Sequence, residues 1–146
     1  MKGLLSRASK DESRELIKES MNQFRFQKLE VWQQARVLNK AVYSLSNGFP
    51  SFELYALTSQ VRRASISVSS NIAEGSGRNS DADFAHFLEI AYASLMEVIS
   101  QLYLALDLGY ITEPQLKIIS TDADLLASQV VALSRTLGRA SRAKLQ

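Results

Sequence analysis

The sequence predicts an all-α fold, an antiparallel up-down-up-down four-helix bundle, on three observations. From residue 28 onward, apolar residues recur at spacings of three and four, and no strand-like alternation persists. Glycine, proline and capping residues divide this part of the chain into four segments joined by short loops, which place successive helices in opposite directions. We therefore expect a bundle over residues 28–137, preceded by a charged, mobile extension over residues 1–27 and followed by a basic tail over residues 138–146.

The first two predicted helices meet at a turn that contains proline. The first helix, over about residues 29–47, ends at Asn47-Gly48-Phe49-Pro50, where glycine permits a left-handed cap and proline cannot continue the helix. Ser51 is expected to cap the second helix, with Glu53 in its first turn. That second helix is predicted to end at Gly75-Ser76-Gly77.

The third and fourth predicted helices have stronger start signals. Ser80 is expected to cap the third helix, whose apolar residues follow a heptad spacing until the chain reaches Gly109. The fourth helix opens at Thr112-Glu113-Pro114-Gln115, which combines a capping box with proline in the first turn. Its apolar residues continue at the same spacing to Leu137.

The third predicted helix carries a second apolar line beside its heptad line. The residues of this second line are Tyr92, Met96, Ile99, Tyr103 and Leu106, followed by Tyr110. Together the two lines are wider than the stripe of roughly 100° that a surface helix needs. Either this helix is the most buried of the four, or the second line packs against another subunit, where tyrosine is favoured. We predict self-association through the second line.

Basic residues are concentrated near the two ends of the chain. Residues 1–27, 28–134 and 135–146 carry six, seven and four basic side chains against four, eleven and no acidic ones, so their net charges are +2, −4 and +4. In the last segment Arg135, Arg139 and Arg142 form one line that we expect to extend past the fourth helix. This line either complements the helix dipole or contacts the phosphates of RNA or DNA.

Composition favours a soluble protein of the cytoplasm. The chain has no cysteine, which excludes disulfides and thiolate metal sites. Only Leu4-Leu5 lies between Lys2 and Arg7, so no signal peptide is expected at the N-terminus. No uncharged apolar run approaches the roughly 20 residues that span a bilayer. We therefore expect no contact with a membrane.

The stretch QVRRASISVSSNIAEGSGR, residues 60–78, combines helical periodicity with many serines. Serine lets a neighbouring backbone approach closely and adds hydroxyl groups that can bond across helices. We predict a polar network that fixes helix register, holds subunits together or grips an anion; its members are Gln60, Arg62, Arg63, Asn71, Glu74 and Arg78. The candidate nucleic-acid contacts are Arg62, Arg63, Arg78, Arg135, Arg139 and Arg142. Without a P-loop lysine or a preceding strand, no nucleotide site is predicted.

The sequence predicts no catalytic residue, metal or cofactor. His86 is the single histidine, and with Glu89 it supplies one pair where a bundle di-iron site needs two Glu-x-x-His pairs and two further glutamates. No Gly-x-Ser-x-Gly nucleophile motif is present. Asp81 and Asp83 are explained by a helix start, and Asp122-Ala123-Asp124 by a solvated face.

Several of these segments resemble a known family. They are Leu29-Glu30-Val31-Trp32-Gln33-Gln34-Ala35, Phe49-Pro50, Gln60-Val61-Arg62-Arg63-Ala64, Asn71-Ile72-Ala73-Glu74-Gly75, Gly77-Arg78 and Ala91-Tyr92-Ala93-Ser94-Leu95-Met96-Glu97. Over about residues 24–137 the chain resembles the bacterial ribosomal RNA intervening-sequence proteins, a family that also takes in the accessory variability determinant of diversity-generating retroelements. The resemblance implies a homopentameric barrel of four-helix bundles without enzymatic activity.

The resemblance also suggests partners. Retroelement members are strongly basic, bind nucleic acid and associate with a reverse transcriptase, whereas residues 28–134 here are net acidic. Our first hypothesis is a non-enzymatic homo-oligomer that acts as a nucleic-acid-associated accessory or adaptor. The alternative is a structural or protein-interaction scaffold that does not bind nucleic acid.

Overall fold

The structure, a computed structural model, describes residues 2–21 and 24–146, with the side chains of residues 9–18 and 24–146. Its α-helices are α1 Lys2–Met21, α2 Glu30–Ser46, α3 Leu57–Ser76, α4 Asp81–Asp107 and α5 Glu113–Lys144. Short 3-10 helices at Arg25–Lys28 and Ser51–Glu53 precede α2 and α3. Within the described residues there is no β-strand, so the predicted all-α fold is confirmed.

Helices α2 to α5 pack around one apolar core. Helix α2 contacts α3 and α5, α3 contacts α4, and α4 contacts α5. Each helix contributes fully buried side chains from the apolar residues that recur at spacings of three and four, such as Leu38, Val68, Leu95 and Leu126. The three-and-four spacing of apolar residues therefore identified the core face of each helix correctly.

Three predicted helix ends are confirmed, two of them by side-chain hydrogen bonds. The Asp83 amide donates to Ser80 Oγ at 3.1 Å, which caps α4. At the start of α5, the Gln115 amide donates to Thr112 Oγ1 at 3.3 Å and the Thr112 amide donates to Gln115 Oε1 at 2.9 Å. Helix α4 ends at Asp107, and Gly109, two residues beyond, has a φ of 76°, a left-handed conformation that only glycine adopts easily.

The predicted start of the second helix is wrong. Ser51 lies in a 3-10 helix, and α3 begins six residues later, at Leu57. The chain cannot run straight into α3 because Ala56 adopts a non-helical backbone with φ −121° and ψ −108°. The cap comes from Glu53, whose Oε2 accepts a hydrogen bond from the Leu57 amide at 3.0 Å. The left-handed cap expected at Gly48 is absent, since Gly109 is the one described glycine with positive φ.

Helix α5 is longer than predicted. It continues through Gly138 to Lys144, so Arg139 and Arg142 lie within the helix and not beyond it. A single glycine costs a helix only about 1 kcal/mol, and no proline follows to end it. At the other end of the chain, α1 lies in the segment predicted to be a charged, mobile extension, and residues 9–18 are exposed on all sides of it. The predicted mobility of residues 1–27 stays a prediction, and residues 1, 22 and 23 lie outside the described part.

Helix α4 is the most apolar long helix. Among the described residues it alone is long and apolar enough to cross a membrane by length and composition. The core helix of a soluble protein passes the same test, and α4 supplies buried residues along its whole length, from Phe84 to Ala105. The expectation of no membrane contact stays a prediction.

Candidate functional site

Buried serines on α3 join it to α2 through one asparagine. Asn39 Nδ2 donates to Ser69 Oγ at 2.8 Å, and the Ser65 hydroxyl donates to Asn39 Oδ1. Both serines are buried, so each hydroxyl needs a partner to offset its desolvation. Asn39 was missed in the sequence, because a single asparagine on a predicted helix gives no pairing signal.

Arg62 also holds α3 to α2. Its Nε donates to the buried Ser46 Oγ at 2.8 Å, and its Nη2 donates to Asn47 Oδ1 at 2.9 Å. The guanidinium carbon lies 4.7 Å from the centre of the Tyr43 ring. These contacts occupy the guanidinium at the end of α2, so Arg62 connects helices rather than facing solvent freely.

The opposite side of the serine stretch faces α4. Ser67 Oγ lies 2.8 Å from Ser94 Oγ, and Asn71 Nδ2 donates to the Ser67 carbonyl at 2.8 Å. The hydroxyl pair gives a polar contact within an otherwise apolar helix crossing. The small size of the two serine side chains allows the backbones of α3 and α4 to approach each other.

The six residues predicted as one polar network divide into separate groups. Arg62 contacts α2, Asn71 bonds back to Ser67 beside α4, and Arg78 Nη2 lies 3.0 Å from Glu74 Oε1 in an exposed ion pair. Arg78 also lies over the Phe87 ring, 4.5 Å from its centre. The remaining two, Gln60 and Arg63, are exposed. The structure therefore does not bring the six together at one site.

The six arginines predicted to contact nucleic acid lie in two regions. Arg62 and Arg63 are about 20 Å along the α3 axis from the end of that helix, as 1.5 Å per residue requires. Arg78 follows α3 and precedes Asp81, whose Oδ2 lies 3.3 Å from Lys144 Nζ. That contact places the end of α5 beside the start of α4, three residues after Arg78.

Arg135, Arg139 and Arg142 are exposed along α5. Spacings of four and three put them on one stripe of the helix, about 6 Å and 10 Å along the axis from the first. Since α5 continues to Lys144, a helix holds this stripe in place. We call these three residues the α5 arginine stripe.

The second apolar line of α4 is only partly free. Tyr92, Met96 and Tyr103 are 38%, 38% and 55% exposed. Ile99 and Leu106 are half-buried and pack against the core. Tyr110, which ends the line, donates its hydroxyl to Glu53 Oε1 at 3.0 Å. Burial, followed by this hydrogen bond and the Glu53 charge, raises the pKa of the Tyr110 phenol.

Two adjoining cavities lie in the groove between α4 and α5. The first, of about 250 Å³, is lined by apolar side chains together with Glu89, Tyr92, Ser134 and Arg135. The second, of about 340 Å³, shares Tyr92, Val131 and Arg135 with the first. An aromatic ring of the second apolar line therefore borders the same groove as the first residue of the α5 arginine stripe, a proximity that sequence reasoning missed.

A further apolar surface lies between α2 and α5. A cavity of about 340 Å³ there is lined by small and aliphatic side chains that include Ala41, Ser44 and Ile118. Val37, Ile118 and Leu125 are exposed on these two helices. The spacing of apolar residues predicts a single core stripe on each of these helices and does not indicate this surface.

The candidates for catalysis remain isolated. His86 Nδ1 lies 3.9 Å from Glu89 Oε2, and both side chains are largely exposed. In the part of the chain that the structure describes, no group of three or more His, Asp or Glu side chains could hold a metal ion. The hydroxyls of Ser65 and Ser67 bond to Asn39 and Ser94 and not to a base.

Comparison with known proteins decides the family. The family model of the 23S rRNA-intervening sequence protein matches residues 27–132. The chain belongs to this family. The match covers α2, α3 and α4 and most of α5, and α1 lies outside it.

A solved protein structure has the same fold. A crystal structure of a protein of unknown function from the S23 ribosomal protein family of Bacteroides thetaiotaomicron superposes with a TM-score of 0.66 and 23% sequence identity. The superposition covers 71% of this chain and 97% of that one. At this identity the likeness shows the fold alone. No curated protein matches the chain.

Proposed function

We propose that this protein is a non-enzymatic homo-oligomer of the cytoplasm that associates with nucleic acid as an accessory or adaptor. The α5 arginine stripe carries the proposal. It lies in a twelve-residue segment, 135–146, with four basic and no acidic side chains. Complementing the helix dipole needs cations only in the last turn, and Arg135 lies more than two turns before Lys144. A stripe of this length suits a row of phosphates.

We infer that α2 to α5 form an antiparallel up-down-up-down bundle. Contacts between specific residues support this topology. In the α2–α3 pair, Asn39 meets Ser69 while the later Ser46 meets the earlier Arg62. In the α4–α5 pair, Lys144 at the end of α5 meets Asp81 at the start of α4.

Such bundles assemble, in our proposal, through the exposed part of the second apolar line. Met96 and Tyr103 present apolar area to solvent on a helix whose other line already fills the core. A pentamer is the number that the family resemblance implies. Five copies would present five arginine stripes, and binding through several at once raises a weak affinity by about 10² or more.

The arrangement of the described side chains does not favour catalysis. The single histidine is exposed beside Glu89, and the hydroxyls of Ser65 and Ser67 hydrogen bond to Asn39 and Ser94. A nucleophile with a base in reach is therefore not formed by these groups. Binding is left as the function that the surface supports best.

Nucleic-acid binding is testable directly. Labelled RNA and DNA oligonucleotides would be titrated with the full chain at about 50 and 200 mM salt, where phosphate contacts lose affinity steeply. The matched variant is Arg135→Gln/Arg139→Gln/Arg142→Gln, which keeps helix-forming side chains. We expect binding at the lower salt that the triple variant weakens strongly. Absence of binding by the wild type at about 50 mM salt would refute the proposal.

A protein-interaction scaffold is the second candidate, and the α2–α5 surface favours it. Ile118 lines the cavity between these helices and is exposed, and Val37 and Leu125 expose further apolar area on α2 and α5, as sites of protein contact often do. Under this alternative the protein self-associates but binds no oligonucleotide. The same titration, combined with light scattering, separates the two candidates.

A further inference from the structure

The groove between α4 and α5 places an aromatic ring beside a cation. Tyr92 and Arg135 line both of its cavities, of about 250 and 340 Å³. Ala127, Ala132 and Val131 form part of the groove wall. Because these side chains are short, they leave the Tyr92 ring accessible, and Tyr92 is 38% exposed. An accessible aromatic ring beside a row of arginines is the combination that binds single-stranded nucleic acid.

We propose that this groove binds single-stranded nucleic acid, with an unpaired base stacked on the Tyr92 ring and the neighbouring phosphates on the α5 arginine stripe. This inference rests on the proposed function and specifies which form of nucleic acid is bound. Stacking on tyrosine tolerates any base, since every base has a flat face. Duplex bases are stacked on each other and cannot reach Tyr92, so a duplex would use the arginines alone.

The positions along α5 fit one strand that leaves the groove. Arg135 lies at the groove, and Arg139 and Arg142 follow about 6 Å and 10 Å further along the helix axis. All three project from the same stripe of α5. A strand whose base lies on Tyr92 can therefore run along α5 toward Lys144 and place successive phosphates beside cations.

Acidic groups limit where the phosphates lie. Glu89 lines the first cavity, and its carboxylate lies 3.9 Å from the His86 ring nitrogen. Asp81 at the start of α4 pairs with Lys144. Both carboxylates belong to α4, so the phosphates belong on the α5 side, where segment 135–146 has no acid. Glu89 then faces the edge of the base.

Tyr92 is also the first member of the second apolar line, and a subunit contact is the competing use of its ring. The variants for the test are Tyr92→Leu, which removes the ring, and Tyr92→Phe, which keeps it. Tyr55→Leu is the matched control, because Tyr55 is an exposed tyrosine that lines neither cavity and lies outside the second apolar line. Light scattering of each variant monitors assembly.

The experiment compares single-stranded RNA, single-stranded DNA and duplex DNA with equal numbers of phosphates at about 50 mM salt. We expect Tyr92→Leu to weaken single-strand binding by about 5- to 100-fold, as loss of one stacked base does, and to leave duplex binding unchanged. Tyr92→Phe and Tyr55→Leu are expected to bind like the wild type. A second variant, Tyr92→Trp, is expected to lose fluorescence on adding single strands but not duplex.

The outcomes separate this inference from the proposed function. Equal weakening of single-strand and duplex binding by Tyr92→Leu, or no weakening, would overturn the stacking role while nucleic-acid association stands. A fall in molar mass for Tyr92→Leu would assign the ring to a subunit contact and overturn the inference as well. A wild-type protein that binds none of the three oligonucleotides would remove the proposed function and this inference together.

Discussion

Gly75 of α3 passes so close to Phe87 of α4 that a Cβ atom on the glycine would lie 2.6 Å from the Phe87 Cβ. The same atom would lie 2.8 Å from Cδ2 of Phe84, which is fully buried. The close crossing allows the Phe87 ring to reach Arg78, which lies over it. Gly75 therefore sets the distance between α3 and α4 beside Arg78.

The first prediction is that Gly75→Ala destabilises the fold. The added methyl group must displace α4 or the Phe84 ring, and overpacking of this kind costs about 1–3 kcal/mol. Gly138→Ala is the control, because its Cβ would meet nothing within 4 Å and it lies inside α5. That change is expected to stabilise the helix by about 0.5–1 kcal/mol. Urea unfolding measures both, and a Gly75→Ala midpoint equal to the wild type would contradict the close crossing.

A second prediction concerns the arginine that joins α2 and α3. Arg62→Gln loses the bonds to Ser46 and Asn47 and the contact with Tyr43, so the free energy of unfolding should fall by about 1–2 kcal/mol. Arg63→Gln is the matched control, since the exposed neighbour should change stability by no more than about 0.5 kcal/mol. Chemical unfolding of the two variants measures both changes in the free energy of unfolding. Equal effects would mean that the Arg62 contacts contribute nothing measurable.

The third prediction tests assembly. Met96→Glu/Tyr103→Glu places charge on the exposed part of the second apolar line and should reduce the molar mass to that of a 16.3 kDa monomer. Burying an unpaired charge at an interface is costly, whereas both sites are accessible in a single chain. Ser70→Glu, an exposed position on α3, serves as the control. A wild-type protein that is itself monomeric in light scattering would refute assembly through this line.

The fourth prediction concerns alkaline pH. Burial and the hydrogen bond to Glu53 raise the pKa of Tyr110 above its ordinary value of 10.0. Because the unfolded chain ionises first, the stability contributed by the neutral phenol is complete below about pH 10 and is lost as pH rises through the folded-state pKa. The stability difference between the wild type and Tyr110→Phe should therefore shrink with rising pH. Urea unfolding from about pH 9 to 11 checks this, and a constant difference would contradict it.

The sequence predicted what local rules determine. The caps at Ser80 and Thr112 depend on residues a few positions apart, and the structure has both. A left-handed glycine follows α4 at Gly109 and not α2 at Gly48, where it was expected. The start of the second helix was misplaced because Ser51 follows proline in a pattern that also permits a 3-10 helix. The choice depends on Glu53 reaching the Leu57 amide, which the pattern does not reveal.

The candidate site was less predictable because it depends on which helices are neighbours. The spacing of Arg62 and Arg63 places them on different faces, but only the packing of α2 against α3 shows that Arg62 meets Ser46. In the same way Tyr92 and Arg135 lie 43 positions apart in the sequence and share a groove only because α4 packs on α5. The spacing of apolar residues shows which face of each helix is buried, but it does not show which other helix packs against that face.

The salt dependence of oligonucleotide binding tests the central claim, that α5 contacts phosphates, most directly. The logarithm of the association constant would be measured against the logarithm of the salt concentration for the wild type and for Arg139→Gln/Arg142→Gln. The slope should become shallower by about 0.7 for each lost contact with a single strand, and by more where several subunits contact one strand. Identical slopes for the two proteins, or no binding by the wild type at about 50 mM salt, would contradict the account.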